Sequence, residues 1–425
     1  MALAQKIRRH YYLLTGAHTL AASIIWGVNT LFLLDVGLTI YQVFLVNAVF
    51  TAAMTLFEIP TGAVADTRGR KVSLQWSSLI LFIGTLGYLV AGTWGGGMPA
   101  FIIASAVLGL GFTFFSGAAE AWAVDELKSA GEEEASASLF AHAATAASVT
   151  MLIGTILGGF LGNIDYRIPY ILRAVLFLLM LTLTLFAMPE SGWRPDGEKL
   201  KPTERIRRTL SDSFRYGLKI PALRQLMGIT FILGIFMIWG FYALQPYIVN
   251  LAGKPGAAWL SGLVTSGVTL SQICGQLLSG RRKERTGIST LLSVSLGIAC
   301  VGALITGLAG LPTISDALGQ PFTPIVAVIG VMLMMGSLGY ASPFLRSALH
   351  NRIPSEKRAT IVSLDSLVGS GGAIFGQPSL GRLAGRFGIA SGYLAGAGLF
   401  ALTQPVIALF HRSETNPNMA QAAST

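Results

Sequence analysis

The sequence predicts an all-α integral membrane protein with twelve transmembrane helices arranged as two six-helix halves. Three observations lead to this fold class. Of the 425 residues, 52% are hydrophobic and only 12% are charged, whereas about 25% are charged in a typical soluble domain. About twelve apolar segments reach the roughly 20 residues that an α-helix needs to cross a bilayer. Several residues also recur at one constant offset, as an internal duplication would produce.

The predicted spans follow one another along nearly the whole chain, separated by short polar loops or, once, by a longer polar linker. They lie near residues 11–35, 40–64, 73–95, 98–127, 137–162, 167–188, 223–250, 257–280, 288–311, 322–350, 359–383 and 388–411. At a rise of about 1.5 Å per residue, each can cross a hydrocarbon core about 30 Å thick. The first span is longer than the apolar core of a signal peptide, so we expect it to be retained.

The positive charge of the chain is distributed unevenly between the two sides that this topology defines. Of the 30 Lys and Arg residues, 24 fall in the termini and even-numbered loops, 4 on the opposite side, and 2, Arg173 and Arg346, inside spans. By the positive-inside rule we expect both termini in the cytoplasm, most simply of a bacterial inner membrane. The net charge of +10 therefore orients the chain in a lipid bilayer and does not indicate nucleic acid as a partner.

An offset of 218 residues joins positions in separate spans. The matching pairs are Gly62 and Gly280, Gly69 and Gly287, Gly154 and Gly372, Gly158 and Gly376, and Tyr41 and Trp259. One glycine match has little weight in a chain with 50 glycines, but a shared offset indicates duplication. We therefore predict an N-terminal six-helix half at 1–188 and a C-terminal six-helix half at 223–412.

A polar cytoplasmic linker at 189–222 joins the halves, and we expect the tail at 413–425 to be disordered. Within the linker, four apolar residues recur every four positions between basic ones: Ile206, Leu210, Phe214 and Leu218. This spacing is typical of an amphipathic helix on the inner membrane surface. A solvated helix that only tethers the halves would show the same pattern, and this alternative stays open.

The ten residues Gly62-Ala-Val-Ala-Asp66-Thr-Arg68-Gly69-Arg70-Lys71 lie between the second and third predicted spans. They resemble the signature of the major facilitator superfamily, Gly-x-x-x-Asp-x-x-Gly-Arg-Lys/Arg, and the resemblance extends over about residues 11–411. It implies a secondary active transporter that works by alternating access, with no enzymatic activity and no cofactor. The corresponding loop of the second half, Arg281-Arg-Lys-Glu-Arg285, keeps the basic charge but has no acid at the position equivalent to Asp66.

The motifs of other function classes are absent from the sequence. It contains no His-Glu-x-x-His run, no Gly-x-Ser-x-Gly elbow, and no phosphate-binding loop that would power an ATP-driven pump. An intramembrane enzyme is therefore not indicated. No metal site is predicted either, because His18 and His142 have no second ligand at helical spacing and are better explained as hydrogen-bonded core residues.

The signature also predicts a conformational latch made of charged side chains. A carboxylate that faces guanidinium and ammonium groups can pair with them in one conformation and separate in another. In the family, an acid at the cytoplasmic end of the fourth helix joins the signature Asp and Arg. By position, the resemblance assigns this role to Asp66, Arg70 and Asp125, with Gly62, Gly69 and Lys71 completing the motif. The alternative is a static salt bridge that only fixes the helix ends.

Carboxyl groups in the spans are the candidates for proton coupling. A charge near the bilayer centre costs about 2.5–3.5 kcal/mol on insertion scales, so such residues usually face a cavity or a partner. Glu58, Glu120 and Asp365 lie toward the cytoplasmic ends of the second, fourth and eleventh spans, where a proton gradient could titrate a desolvated carboxyl group. The alternative is structural: each could pair with Arg346, or Glu58 and Glu120 with a backbone amide.

The fifth span carries four closely spaced glycines, Gly154, Gly158, Gly159 and Gly162. They resemble the exporter-associated motif of the family, Gly-x-x-x-Gly-Pro-x-x-Gly-Gly, although Gly159 stands where proline is expected. Such glycines let helices approach closely, which is also their ordinary role in membrane helices. Drug–proton exporters of this type usually carry an arginine four residues before a glycine in the fourth helix, and Ser105 stands at that position here. The usual proton relay of those exporters is therefore not expected.

Several side chains are candidates for lining a substrate cavity, because the resemblance implies that the first, fourth, seventh and tenth helices face inward. They are Trp26, Asn29, Trp122, Trp239, Tyr242, Gln245 and Tyr340. The set is aromatic and has few hydrogen-bonding groups, so it suits an amphiphilic or hydrophobic molecule better than a sugar. Aromatic residues in spans are also common as packing residues and interface anchors.

The chain resembles members of the family of the drug:proton antiporter type, and this resemblance implies a monomeric transporter with protons and a small molecule as its partners in the bilayer. Its predicted activity is proton-coupled efflux of amphiphilic or hydrophobic compounds. The alternative is a dedicated exporter, or a proton symporter, of one specific metabolite.

Overall fold

A computed structural model describes residues 2–132, 137–193, 220–254, 256–281, 287–353 and 357–415. Within these ranges the regular secondary structure is helical, and no strand occurs. This confirms the predicted all-α fold class. The helices, numbered in chain order, are α1 (Ala2–Ser23), α2 (Asn29–Asp35), α3 (Ile40–Arg68), α4 (Arg70–Thr93), α5 (Gly97–Phe115), α6 (Ala118–Ser129), α7 (Ala137–Gly162), α8 (Arg167–Phe186), α9 (Pro221–Leu251), α10 (Ala258–Ser279), α11 (Ile288–Ala309), α12 (Pro312–Leu318), α13 (Phe322–His350), α14 (Arg358–Phe387) and α15 (Ile389–Thr415).

Glycine and proline mark many of the borders between helices. Pro221 and Pro312 stand at the first positions of α9 and α12, where the missing N–H of proline costs no helical hydrogen bond. Only Gly388 separates α14 from α15, and its φ of 82° is a conformation that glycine adopts without steric penalty. These local signals divide a mostly apolar chain into helices of defined length.

In the part of the chain that the structure describes, nine helices are long and apolar enough to cross a membrane. One of them joins α5 and α6 as Gly97–Ser129. The other three predicted spans coincide with α1 and α2 together, with α10, and with α14. Polar residues lower their apolar character; α14, for example, carries Asp365, Arg382 and Arg386.

Contacts divide the chain into two compact units. Unit 1 comprises Met1–Leu38, Val49–Pro202 and Ala257–Leu263, and unit 2 comprises Thr39–Ala48, Thr203–Gly256 and Val264–Thr425. The first turns of α3 therefore belong to unit 2, and the first turns of α10 belong to unit 1. The boundaries predicted for the two halves stay a prediction.

Two predicted segments lie largely beyond the described ranges. The amphipathic linker helix, with Ile206, Leu210, Phe214 and Leu218, falls in 194–219, outside the described residues. The predicted tail begins inside α15, which extends to Thr415, and 416–425 are also outside them.

In unit 1, the glycines of the fifth predicted span stand where α7 packs closely on its neighbours. A Cβ atom on Gly154 or Gly158 would overlap Ser23 Oγ or the carbonyl oxygen of Ile24, respectively. A Cβ on Gly159 would lie 2.7 Å from the Cα of Gly262, and one on Gly162 would lie 2.8 Å from Val28 Cγ1. Real Cβ contacts are not this short, so the backbones approach at distances that only glycine permits.

Unit 2 repeats this kind of packing. A Cβ on Gly372 or Gly376 of α14 would overlap the carbonyl oxygen of Phe231 or Ile235 in α9. Two of the glycine pairs related by the 218-residue offset, Gly154 with Gly372 and Gly158 with Gly376, therefore mark close helix contacts in both units. Elsewhere in unit 2, α9 and α15 bury an aromatic cluster whose ring centroids lie 5.2–5.9 Å apart: Phe236, Trp239, Tyr393 and Phe400.

Candidate functional site

The three charged residues predicted to form a latch lie in unit 1, where α3 ends and α4 begins and where α6 packs beside them. Arg70 Nη1 donates a hydrogen bond to Asp66 Oδ1 at 2.5 Å, and Arg70 Nε lies 3.7 Å from Asp125 Oδ2 on α6. The side chains of Arg70, Asp66 and Asp125 are 21%, 35% and 32% exposed. Ion pairs with this exposure contribute roughly 0–1 kcal/mol each. The three predicted residues are thus brought together by contacts weak enough to form and break.

Gly69 is the single residue between α3 and α4. Its φ of 109° lies in the region that favours glycine. A Cβ on Gly69 would also come within 2.6 Å of Glu190 Oε1, and that oxygen accepts a hydrogen bond from the backbone N–H of Lys71 at 2.8 Å. The Glu190 carboxylate therefore caps the N-terminus of α4, where the helix dipole favours negative charge. Sequence analysis missed Glu190, because nothing local relates it to residues more than a hundred positions earlier.

The segment Pro189–Gly192 is bound to α6 by three further hydrogen bonds. Trp122 Nε1 donates to the carbonyl oxygen of Pro189 at 2.8 Å. Glu126, which is 1% exposed, accepts from Ser191 Oγ at 2.8 Å and from the Gly192 N–H at 2.7 Å. The Trp122 indole, a predicted cavity residue, is thus placed in the packing beside the latch.

Replacing Gly69 by Ala is expected to reduce transport strongly, because the new Cβ strains the backbone and pushes the Glu190 carboxylate off the N-terminus of α4. Gly62→Ala is the matched control within the same motif. A Cβ on Gly62 would meet no described heavy atom within 4 Å, so this variant adds a methyl group without a clash. Initial transport rates in vesicles, normalised to folded protein, check the difference; equal losses in both variants would contradict it.

Two of the predicted coupling carboxylates lie beside a break in the fourth predicted span. The break comprises Ser116 and Gly117, between α5 and α6. Ser116 Oγ donates to Glu58 Oε1 at 2.9 Å, and Glu120 lies in the first turn of α6. Both carboxylate side chains belong to exposed residues. The structure therefore brings Glu58 to the same break that precedes Glu120.

The third predicted carboxylate, Asp365, lines a cavity of about 260 Å³ in unit 2, together with Arg346 and Thr230. The predicted pairing of Asp365 with Arg346 does not form: within the described ranges these two residues make no ion pair of 4.0 Å or less. They share a cavity without neutralising each other.

The remaining cavity candidates fall into two groups. Three of them are buried: Asn29, Trp239 and Gln245. Asn29 accepts a hydrogen bond from the Tyr170 hydroxyl at 2.8 Å, and Trp239 packs in the aromatic cluster of unit 2. Trp26, Tyr242 and Tyr340 are half-buried and keep part of their surface available.

The two histidines differ in environment. His18 is buried and stacks on Phe115 with ring centroids 3.6 Å apart. His142 is exposed, so its prediction as a core residue is wrong; its Nδ1 donates to the carbonyl oxygen of Ser138 at 2.7 Å. Among the described residues, no three His, Cys, Asp or Glu side chains are grouped so that they could hold a metal ion.

The fold, its apolar helices and the signature at the start of α4 are those of a membrane transporter. The chain belongs to the Major Facilitator Superfamily, whose family profile matches residues 11–377. It is therefore an integral membrane transporter of small molecules and not an enzyme.

Comparisons with known proteins agree with this membership. The chain is 23% identical over 394 residues to the uncharacterized MFS-type transporter YxaM of Bacillus subtilis strain 168, with 90% of each chain covered. Its fold is similar to the crystal structure of the nucleoside transporter NupG, with a TM-score of 0.76 at 13% identity over 97% of this chain and 100% of that one. A D-xylose-proton symporter gives a TM-score of 0.69 at 15% identity over 95% and 96%. Identities this low show a common fold.

Proposed function

We propose that this transporter is a proton-coupled antiporter that exports amphiphilic or hydrophobic small molecules by alternating access. One observation supports it above the others: the short helix α6 carries Glu120 in its first turn and Asp125 of the charge latch five residues later. At about 1.5 Å per residue, roughly 8 Å of one helix connects a carboxyl group that can take a proton to a contact that can open.

The coupling step is proposed to begin at the break before α6. While Glu58 is ionised, the bond from Ser116 Oγ is charge-assisted and roughly twice as strong as a neutral one. Proton uptake by Glu58 weakens this bond, and Glu120 stands in the first turn of α6 just beyond the break. Helix α6 then reorients about Gly117, whose φ of 69° makes it a natural pivot. Because Asp125 is rigidly part of α6, its contact with Arg70 is lost in the same movement.

The proposed substrate class follows from the half-buried aromatic residues Trp26, Tyr242 and Tyr340. Aromatic surfaces with few hydrogen-bonding groups suit a molecule that is partly apolar. The uneven distribution of Lys and Arg supports both termini in the cytoplasm of a bacterial inner membrane, and we assign a monomer. A second candidate is a proton symporter or exporter of one metabolite; it is favoured by the similarity in fold to a D-xylose-proton symporter.

Inside-out membrane vesicles with an acidic interior test the proposed antiport. We expect amphiphilic compounds, added from a panel of cations, neutral molecules and zwitterions, to release protons, followed by a pH-sensitive dye. The double variant Glu58→Gln/Glu120→Gln is expected to lose this proton release, whereas Asp316→Asn, an exposed carboxylate on α12, is expected to keep it. Release that persists in the double variant would assign coupling to other carboxyl groups. Silence of the wild type across the panel would favour the metabolite carrier.

A further inference from the structure

Two cavities adjoin within unit 2, and their linings differ in character. The first, of about 260 Å³, lies among α9, α13 and α14 and is lined by Asp365, Arg346 and three hydroxyl residues, Thr230, Ser342 and Ser366. The second, of about 150 Å³, is lined mainly by aliphatic side chains such as Ile229, Leu233 and Leu296. Ser342 and Leu345 line both. The pair therefore joins a charged compartment to an apolar one.

The charged compartment contains buried polar atoms that form no hydrogen bond with the described residues. Asp365 Oδ1 and Thr230 Oγ1 are buried atoms with no hydrogen-bonding partner among the described residues. The Thr230 hydroxyl lies beside the Asp365 carboxyl group, yet Oδ1 of that group is left without a partner. Arg346 is exposed and forms no ion pair with Asp365. Buried polar atoms are satisfied in the great majority of cases, so unmet ones lining a cavity call for a partner.

The chemistry of the lining identifies that partner. A carboxylate and a guanidinium that face one space without touching are both satisfied by a molecule that carries an ammonium group and an anionic group. A ligand with one charge would leave the opposite side chain without a partner in this cavity. We infer that the adjoining cavities bind a zwitterion with an apolar substituent: its ammonium group contacts Asp365, its carboxylate contacts Arg346, and its apolar part enters the aliphatic compartment.

The size of the cavities limits the ligand. Pockets for drug-sized ligands begin at about 300 Å³, so the charged compartment accepts a small head group, and the apolar one accepts a short side chain. An apolar amino acid has these dimensions and this charge pattern. The site belongs to the second half alone, because the residues 218 positions before Arg346 and Asp365 are Lys128 and Ala147. The cation has a counterpart in the first half, and the carboxylate has none.

Equilibrium binding to the purified full-length chain in a non-ionic detergent tests the inference. The probe is L-leucine, measured by isothermal titration calorimetry beside two analogues that each lack one charge: 3-methylbutylamine without the carboxylate and 4-methylpentanoate without the ammonium group. Phenylalanine and glycine vary the apolar part. We expect the apolar zwitterions to bind at least tenfold more tightly than either analogue, and glycine to bind more weakly than leucine.

Two variants assign the charges separately. Asp365→Asn is expected to abolish the preference for leucine over 4-methylpentanoate, because it removes the partner of the ammonium group. Arg346→Gln is expected to abolish the preference for leucine over 3-methylbutylamine, because it removes the partner of the carboxylate. Asp316→Asn and Arg386→Gln are the controls, because both side chains are charged but do not line either cavity. If a charge variant fails to fold, Ser366→Ala replaces it as the test of the charged compartment, because it only removes a hydroxyl group. We expect Ser366→Ala to weaken leucine binding severalfold.

The inference is overturned if no zwitterion binds the folded wild type more tightly than its single-charge analogues, or if the variants leave these preferences intact. It rests on the proposed function only for the amphiphilic character of the substrate. Because binding is measured without a proton gradient, the two can fail independently. Selective binding without substrate-driven proton release would leave this site in place and remove the antiport.

Discussion

Asp66→Asn is expected to lower transport about fivefold or more while leaving expression and thermal stability close to the wild type. The substitution removes the charge that holds Arg70 Nη1 at 2.5 Å but keeps the size of the side chain. A part-exposed pair contributes roughly 1 kcal/mol or less to stability, so the fold survives. The same 1 kcal/mol, if it favours only one state of the transport cycle, changes the ratio of the two states about fivefold.

The control for Asp66→Asn is a second ion pair of unit 1. Arg8 Nη2 contacts Glu132 Oε2 at 2.7 Å, with side chains 31% and 32% exposed, so Glu132→Gln removes a pair of similar strength outside the signature. The measurement is substrate flux in vesicles, normalised to monodisperse protein. If the two variants lose flux equally, or Asp66→Asn loses stability and not flux, the contact is a static salt bridge.

Gly158→Ala is expected to have the largest effect on folding of any single-methyl addition considered. The added carbon would overlap the carbonyl oxygen of Ile24, and a backbone atom cannot move aside as a side-chain end can. Overpacking of this kind costs about 1–3 kcal/mol and sometimes more. We expect the variant to give little monodisperse protein in size-exclusion chromatography and a lower unfolding temperature.

Gly371→Ala is the matched control for this prediction. It also adds one methyl group inside a long helix, but the new Cβ would meet no described heavy atom within 4 Å. The control is expected to purify like the wild type. Wild-type behaviour of Gly158→Ala would mean that α7 can move away from Ile24, which follows the end of α1.

Glycine spacing and the charged signature allowed much of the fold, and the proximity of three charged side chains, to be predicted. Gly154 and Gly158 mark close helix contacts, and Asp66, Arg70 and Asp125 meet, because these features are encoded in short patterns. Orientation around the helix axis was harder to predict. A helix that is apolar on all sides gives no signal for which face is inward, so Trp239 and Gln245 could not be separated from half-buried residues such as Tyr242.

Long-range capping was also beyond sequence reasoning. Glu190 reaches the N-terminus of α4, and Glu126 holds Ser191 and Gly192, yet each looks like an ordinary acid at the end of an apolar segment. The pairing of such residues depends on how separate helices are placed, which neither composition nor spacing specifies. The same is true of the cavity that Asp365 shares with Arg346.

The hydrogen bonds made by Pro189–Gly192 affect how this transporter should be divided for co-expression as two separate polypeptides. A cut after residue 188 would follow the last apolar residues. It would place in the C-terminal fragment the Glu190 carboxylate that caps α4, together with the backbone groups that bond to Trp122 and Glu126. A cut placed beyond Gly192 leaves the N-terminal fragment with every one of these partners. The N-terminal fragment should therefore end after Gly192, because the four residues Pro189–Gly192 supply these hydrogen-bonding groups, and not at the end of its last hydrophobic helix.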